Sequence, residues 1–346
     1  MTALRTLGVG LALLVATGIA LLVGGLVWTP EAVARGWLVA FGTWSCVPIG
    51  SLTLLLIHRL TGGAWGRAAA PILRPAAALT PLAAIAFLPV LLSLPGIYPW
   101  AADPAAAPPD VARWYLNATS FTARAIVALG GWTVLGIMFA AGSGSRLVAG
   151  LGLAFLGLTI SLVAVDWFLS VEPRYTASAF AATIAVQQLG AALATTAVIG
   201  APDLDGKVAG DIGGLLIATL LGVVYLELMT FVIAWYGDLP DKAAWFLKRG
   251  DPGWLAALLT ALLAGAVLPF GILLVGAARR SRLGLRVAGG LILFGTALHF
   301  AWLILPASES GTGAIVAAVG GLGLLGLISL LAGSLLRPRP ELRGAG

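Results

Sequence analysis

Cysteine occurs once in these 346 residues, as Cys46, and histidine twice, as His58 and His299. A single thiol excludes an internal disulfide, a cysteine-ligated iron–sulfur cluster and a haem attached through paired thioethers. The two histidines fall in different apolar segments, at depths that differ by roughly 20 Å when counted at the helical rise, too far to share one haem iron. The chain is therefore expected to hold no metal or redox cofactor of its own. Charge is scarce as well: 10% of residues are charged against 60% hydrophobic, which excludes a soluble globule of this length. The glycine-rich "LTGGAWG" at Leu60 to Gly66 lacks the Lys-Ser/Thr pair of a phosphate loop and reads as a tight turn between helices.

What the sequence has in quantity is long apolar runs. A helix needs roughly 20 apolar residues to cross the ~30 Å hydrocarbon core. Such runs extend from about Leu7 to Val27, Val33 to Ile57, Ala76 to Leu94, Leu116 to Ala141, Leu147 to Leu169, Phe180 to Ile199, Ile212 to Trp235, Trp254 to Val275, Leu285 to Leu305 and Ile315 to Leu335. The expected fold is an all-α polytopic membrane protein of ten spans, one integral membrane domain over residues 1–346 with no room for a soluble domain between spans.

The net charge of +6 suggests an anionic partner until the basic residues are placed. With the N-terminus cytoplasmic, Arg5, Arg59, Arg67, Arg74, Arg146, Lys207, Arg279, Arg280, Arg282, Arg286, Arg337, Arg339 and Arg343 fall on one face. The other face keeps Arg35, Arg113, Arg174, Lys242, Lys248 and Arg249. This is the positive-inside bias; it puts both termini in the cytoplasm and removes the need for a nucleic-acid partner. The first apolar run has no convincing small-residue cleavage site and is counted as a span rather than a signal peptide.

Ionisable residues inside the bilayer are costly and point to function first. Arg124, about 15 Å from the outer interface by residue count, and Glu227, at a comparable depth, are placed to meet. His299 lies in the outer half and Asp166 nearer the outer surface, while Asp238 and Asp241 mark the outer end of the Ile212 to Trp235 span. With Tyr225 and Gln187 or Gln188 as hydrogen-bonding steps, these groups form a candidate proton path descending from the outer surface. Structural readings stand beside it: Arg124 and Glu227 as a stabilising pair, His299 as a neutral interhelical bridge, Asp166 as a helix-end anchor. Trp100, Trp114, Trp167, Trp235, Trp245 and Trp254 lie near the outer boundary, where most are expected in the interfacial belt. In "WYGDLPDKAAWFLKRG", Pro240 ends the span, and Trp235, Pro240, Asp241, Trp245, Lys248 and Arg249 form a candidate docking surface. Trp245 and Phe246 are expected to face the membrane, with Lys248 and Arg249 turned to headgroups or a partner.

Five stretches in order, "HRLTGGAWG" from His58, "FLPVLLSLPGIYPWA" from Phe87, "YLNATSFTARA" from Tyr115, "DWFLSVEPRY" from Asp166 and "WYGDLPDKAAWFLKR" from Trp235, resemble one family. It is the ActF-type membrane subunit of alternative complex III, a quinol:electron acceptor oxidoreductase, within the wider NrfD-like family of polysulfide reductase membrane subunits. The resemblance implies two four-helix bundles, residues 33–170 and 180–306, flanked by the first and last spans. It also implies a cytoplasmic-side motif at His58, Thr61, Gly62 and Gly63. By the same resemblance the subunit lies in the bacterial inner membrane, has no redox centre of its own, and supports quinol oxidation and part of a proton route. Its partners would be a related quinol-binding membrane subunit together with iron–sulfur and cytochrome c subunits that carry the clusters and haem c; quinol or quinone is the candidate ligand. The sequence departs from the family at Glu227, where a glutamine is usual, and at His299, where an aspartate is usual. The rival reading is a stand-alone secondary transporter using the buried Arg124/Glu227 region.

Overall fold

The computed structural model describes residues 30–200, 206–237, 239–308 and 311–336, and every regular element among them is helical. The principal helices are α1 (Pro30–Thr61), α2 (Ala64–Ala77), α3 (Thr80–Leu92), α4 (Ala118–Ala140), α5 (Arg146–Trp167) and α6 (Phe180–Gly200), followed by α7 (Gly206–Tyr236), α8 (Pro240–Lys248), α9 (Pro252–Leu262), α10 (Leu268–Leu274), α11 (Arg282–Ile304) and α12 (Gly311–Leu336). Nine helical segments among the described residues are long and apolar enough to cross a membrane, α2–α3 and α9–α10 each forming one of them. They coincide with the second to tenth runs read from the sequence; the run from Leu7 to Val27 lies outside the described residues.

The local sequence explains most helix starts. Asn117 accepts a hydrogen bond from the Ser120 amide at 2.9 Å, Ser281 from Gly284 at 2.9 Å and Ser145 from Val148 at 3.2 Å, each side chain occupying a donor that the first helical turn leaves unpaired. Prolines open α8 and α9, where a missing amide proton costs nothing. One boundary differs from the hydropathy reading: the third span begins at Ala64 rather than near Ala76. Arg67, Pro71, Arg74 and Pro75 break the apolar run, yet Ala69, Leu73 and Ala76 bury one stripe of α2 while both arginines stay exposed.

Helix α1 is the centre of the molecule. It packs against α2, α3, α4 and α5 on one side and against α6, α11 and α12 on the other. Its apolar residues surround the whole circumference, as a fully enclosed helix requires. Close approach depends on small residues: Gly50 of α1 faces the Gln188 carbonyl of α6, and Gly36 faces the Ala314 carbonyl of α12. Helices α6, α7, α9, α10 and α11 complete the second side, with α11 against α6, α9 and α10.

The spans alternate between two ends. The connections after α3, α5 and α7 form the long-loop end, where α11 also finishes; those after α1 and α4 are tight turns at the short-loop end, and the one after α10 carries the short helix Gly276–Arg279. Near the long-loop end lies an aromatic core. Trp167 packs on Phe87 (ring centroids 4.4 Å apart) and Phe41 (5.5 Å), the Tyr98 hydroxyl donates to the Trp167 carbonyl at 3.0 Å, and Trp100 Nε1 donates to Ser170 Oγ at 3.0 Å. Trp100, Trp167 and Trp245 are thus buried packing residues rather than belt residues, while Trp114 and Trp235 do project outward. Proximity to a helix end fixes a tryptophan's depth but not whether it faces lipid or core.

Candidate functional site

The ionisable residues divide into three clusters, and the pairing differs from the one that depth alone suggested. Arg124 does not meet Glu227. In the second turn of α4 it turns to α5, where its Nε donates to Asp166 Oδ2 at 2.6 Å and its NH2 to Asp166 Oδ1 at 2.9 Å. The same NH2 donates to the Tyr115 carbonyl at 2.8 Å, and the guanidinium lies 3.9 Å from the Tyr115 ring centroid. Asp166 is completely buried, and through Arg124 and Tyr115 its carboxylate ties the end of α5 to the connection before α4. Burial, with the Asp166 charge nearby, pushes the Tyr115 phenol well above its ordinary pKa. With two parallel bonds from Arg124 to the Asp166 carboxylate, this cluster locks α4 to α5.

The second cluster faces a cavity of about 400 Å³ between α6, α7, α9 and α11, with Phe246 of α8 and Arg249 just after it also in the lining. Gln187 of α6 approaches His299 Nδ1 with its amide nitrogen at 2.9 Å, and His299 Nε2 lies 3.0 Å from Glu227 Oε1 on α7. The roles of the two imidazole nitrogens follow the tautomer: with the proton on Nε2, facing the carboxylate, Nδ1 accepts from the Gln187 amide. That contact is close but poorly aligned, and Nε2 makes no good hydrogen bond; Gln187 Oε1 has no partner among the described residues either. Tyr225, two positions before Glu227 and so roughly 200° around the helix, is 61% exposed on the opposite face and takes no part. Gln188 is buried outside the cavity lining, its Oε1 has no partner among the described residues, and its backbone carbonyl faces Gly50.

The third cluster was not anticipated. Glu172, in the connection between α5 and α6, forms an ion pair with Arg249 and accepts from Lys248 Nζ at 3.3 Å. Arg249 also donates to the Leu303 carbonyl at 2.8 Å and lies over the Trp245 ring, 3.6 Å from its centroid. It is 2% exposed and turned inward, so the expected orientation toward headgroups is overturned: its partners are Glu172, Trp245 and α11. Burial lowers the Arg249 pKa, with the Glu172 carboxylate opposing that shift. Tyr175 stacks flat on Trp245 at 4.2 Å, and burial, followed by the negative charge of Glu227, pushes its phenol up to about 12. Glu172 was visible in the sequence as an acidic residue in a short connection facing a "KR" pair, but nothing in one chain of letters joined positions so far apart.

This arrangement makes Arg249 the fastening of α8. Arg249→Ala is expected to cost about 1.5–3 kcal/mol, the range for a hydrogen bond involving a charged group. The measurement is hydrogen exchange: faster exchange over 168–179 and 240–250, with α4 and α5 unchanged, is the expected result.

The remaining sequence candidates have local roles. Gly62 and Gly63 take φ of 73° and 106°, the left-handed region that a side chain resists, to reverse the chain after α1. His58 Nδ1 donates to the Gly62 carbonyl at 3.0 Å, Thr61 Oγ1 to the Ile57 carbonyl at 2.9 Å, and the His58 ring lies where a side chain at Gly66 would project. Pro240 starts α8, Asp241 lies in its first turn, and Trp235 is exposed at the end of α7. Asp238 lies outside the described residues. No protein-family model matches the chain, and no curated protein matches it.

Proposed function

We propose that the chain is a cofactor-free membrane subunit of a quinol-oxidising electron-transfer complex of the alternative complex III type, with the long-loop end extracytoplasmic. The observation that carries this reading is the acid–imidazole–amide cluster of Glu227, His299 and Gln187 bordering a cavity among otherwise apolar helices. Quinol oxidation sends both electrons to a redox centre and must dispose of both protons. In this reading the electrons pass to iron–sulfur and haem groups on partner subunits. Glu227, with His299 beside it, accepts a proton that the apolar surroundings cannot hold. The ordered motifs from His58 to Arg249 support the same assignment by resemblance. The tightly satisfied Arg124–Asp166 pair is left with a structural role.

The test is Glu227→Gln in the complex purified with its partners. Quinol:acceptor turnover is expected to fall about tenfold or more while assembly and haem content are normal. Unchanged turnover and proton release in a fully assembled complex would end the proposal.

The transporter built on Arg124 and Glu227 loses its site, because those residues belong to separate clusters. One observation favours a carrier of another form: the α9–α10 span winds into a π-helical segment at Leu263–Val267 beside the cavity, and such segments are frequent at functional sites. Substrate uptake into vesicles by the chain alone distinguishes the two.

A further inference from the structure

At the short-loop end the close of α6, the start of α7 and the short helix Gly276–Arg279 that leads into α11 come together. Their cations are Lys207 in the first turn of α7, then Arg279, Arg280, Arg282 and Arg286. The fold gathers these side chains. Arg279 lies half-buried across Gly213 of α7, and the Arg280 side chain is 3.6 Å from where a Cβ at Gly210 would stand, so the two glycines let this turn settle onto α7. Arg286, one turn into α11, donates from Nε to the Val198 carbonyl in the last turn of α6 at 3.3 Å. Arg282, four positions earlier, shares its face of the helix.

The charge of this corner is uncompensated. Lys207, Arg280, Arg282 and Arg286 are exposed, Arg279 Nε is a buried donor without a partner, and none of them forms an ion pair among the described residues. Asp211, one turn beyond Lys207, is exposed and pairs with none of them. Asp203 and Asp205 lie outside the described residues. Like charges one helical turn apart repel each other, and an anion between them removes the penalty. Next to the charges the surface is hydrocarbon: Leu283, Val287 and Phe294 are all exposed on the outward stripe of α11. Gly290, between the last two, has nothing within 4 Å of its built Cβ and leaves a dip in that stripe.

We propose that this corner binds an acidic phospholipid. Arg282 and Arg286 hold its phosphodiester, Arg280 and Lys207 add charge beside it, and an acyl chain lies along Leu283, Val287 and Phe294. A guanidinium meets a phosphate with two parallel donors, and a long side chain one turn from a helix end reaches back to headgroup level. Basic pockets between spans suit acidic headgroups for these reasons. A soluble anion satisfies the arginines but leaves the apolar stripe uncovered, and a zwitterionic lipid brings a further cation to a corner already rich in them. The site is at the opposite end of the spans from Glu172 and Arg249, and it does not depend on the electron-transfer reading.

The probe is dioleoylphosphatidylglycerol, titrated into the full-length chain in mild detergent, with dioleoylphosphatidylcholine as the zwitterionic comparison and bound lipid counted by native mass spectrometry. The first phosphatidylglycerol is expected to bind at least tenfold more tightly than phosphatidylcholine, and Arg282→Gln with Arg286→Gln is expected to abolish that preference. Both side chains are exposed, so the double variant is expected to melt with wild type in phosphatidylcholine. Arg59→Gln with Arg146→Gln removes the same charge from exposed positions at the same end, on α1 and α5, and is expected to keep the preference. Glycerol 3-phosphate, the headgroup without chains, is expected not to displace the lipid at equal concentration. Equal affinity for the two lipids, or an equal effect of the two double variants, overturns the site. Displacement by glycerol 3-phosphate overturns the lipid as its occupant.

Discussion

Asp166→Ala is expected to destabilise the protein by about 3–5 kcal/mol, the range for breaking a buried ion pair by removing one partner. The cost comes less from the lost attraction than from what remains. Arg124 is held by α4 against α5 with its side chain 17% exposed, and after the substitution its charge has only the Tyr115 carbonyl and ring as partners. The measurement is thermal unfolding of the purified chain in detergent, followed by helical circular dichroism. The double replacement Arg124→Met with Asp166→Leu separates this cause from a general packing defect: removing both charges together is expected to recover most of the loss. An Asp166→Ala protein as stable as wild type would show that the pair contributes nothing to the hold of α4 on α5.

Gly50→Leu is expected to cost about 3 kcal/mol or more, at or beyond the upper end of overpacking penalties. A Cβ built at Gly50 runs into the Gln188 carbonyl oxygen. That atom belongs to the backbone of α6, so no rotamer change relieves the contact, and α1 and α6 must separate along the seam that joins the two sides of the molecule. The adjoining residue Gln187 carries the hydrogen bond to His299, so a shift of α6 is also expected to loosen that contact. Gly130, in α4, has nothing within 4 Å of its built Cβ. Gly130→Ala is expected to stabilise by about 0.5–1 kcal/mol through the lower entropy cost of ordering alanine in a helix. Melting temperatures of the two variants in one detergent check both, and a Gly50→Leu protein that melts with wild type would remove the α1–α6 seam as a constraint.

The candidate site was legible by level more than by contact. Counting residues from helix ends placed Arg124, Glu227, His299 and Gln187 among the buried polar groups of the long-loop half. It could not say that Arg124 turns to α5 while Glu227 turns to α11, because depth leaves the rotation of each helix and the identity of its neighbour open. Tyr225 shows the same limit: two residues from Glu227 it has nearly the same depth and the opposite outlook. Arg249 was placed at the interface because a "KR" pair after an amphipathic segment usually belongs there. The fold turns it inward because Glu172, Trp245 and the Leu303 carbonyl converge on it from three other elements.

Composition and the length of the apolar runs determined by themselves that this is a multi-pass helical membrane protein, and where most of its spans lie. In hydrocarbon a backbone must satisfy its own hydrogen bonds, so an apolar run of that length has one main solution, the spanning helix. Only the tertiary structure decided which charges are partners, that α1 is the enclosed centre, and that α6, α7, α9 and α11 leave a cavity beside Glu227 and His299. Those features come from the side-by-side packing of helices, set by small residues such as Gly50, Gly265 and Gly295 meeting backbones distant in sequence, and the rise along any one helix carries no record of its neighbours.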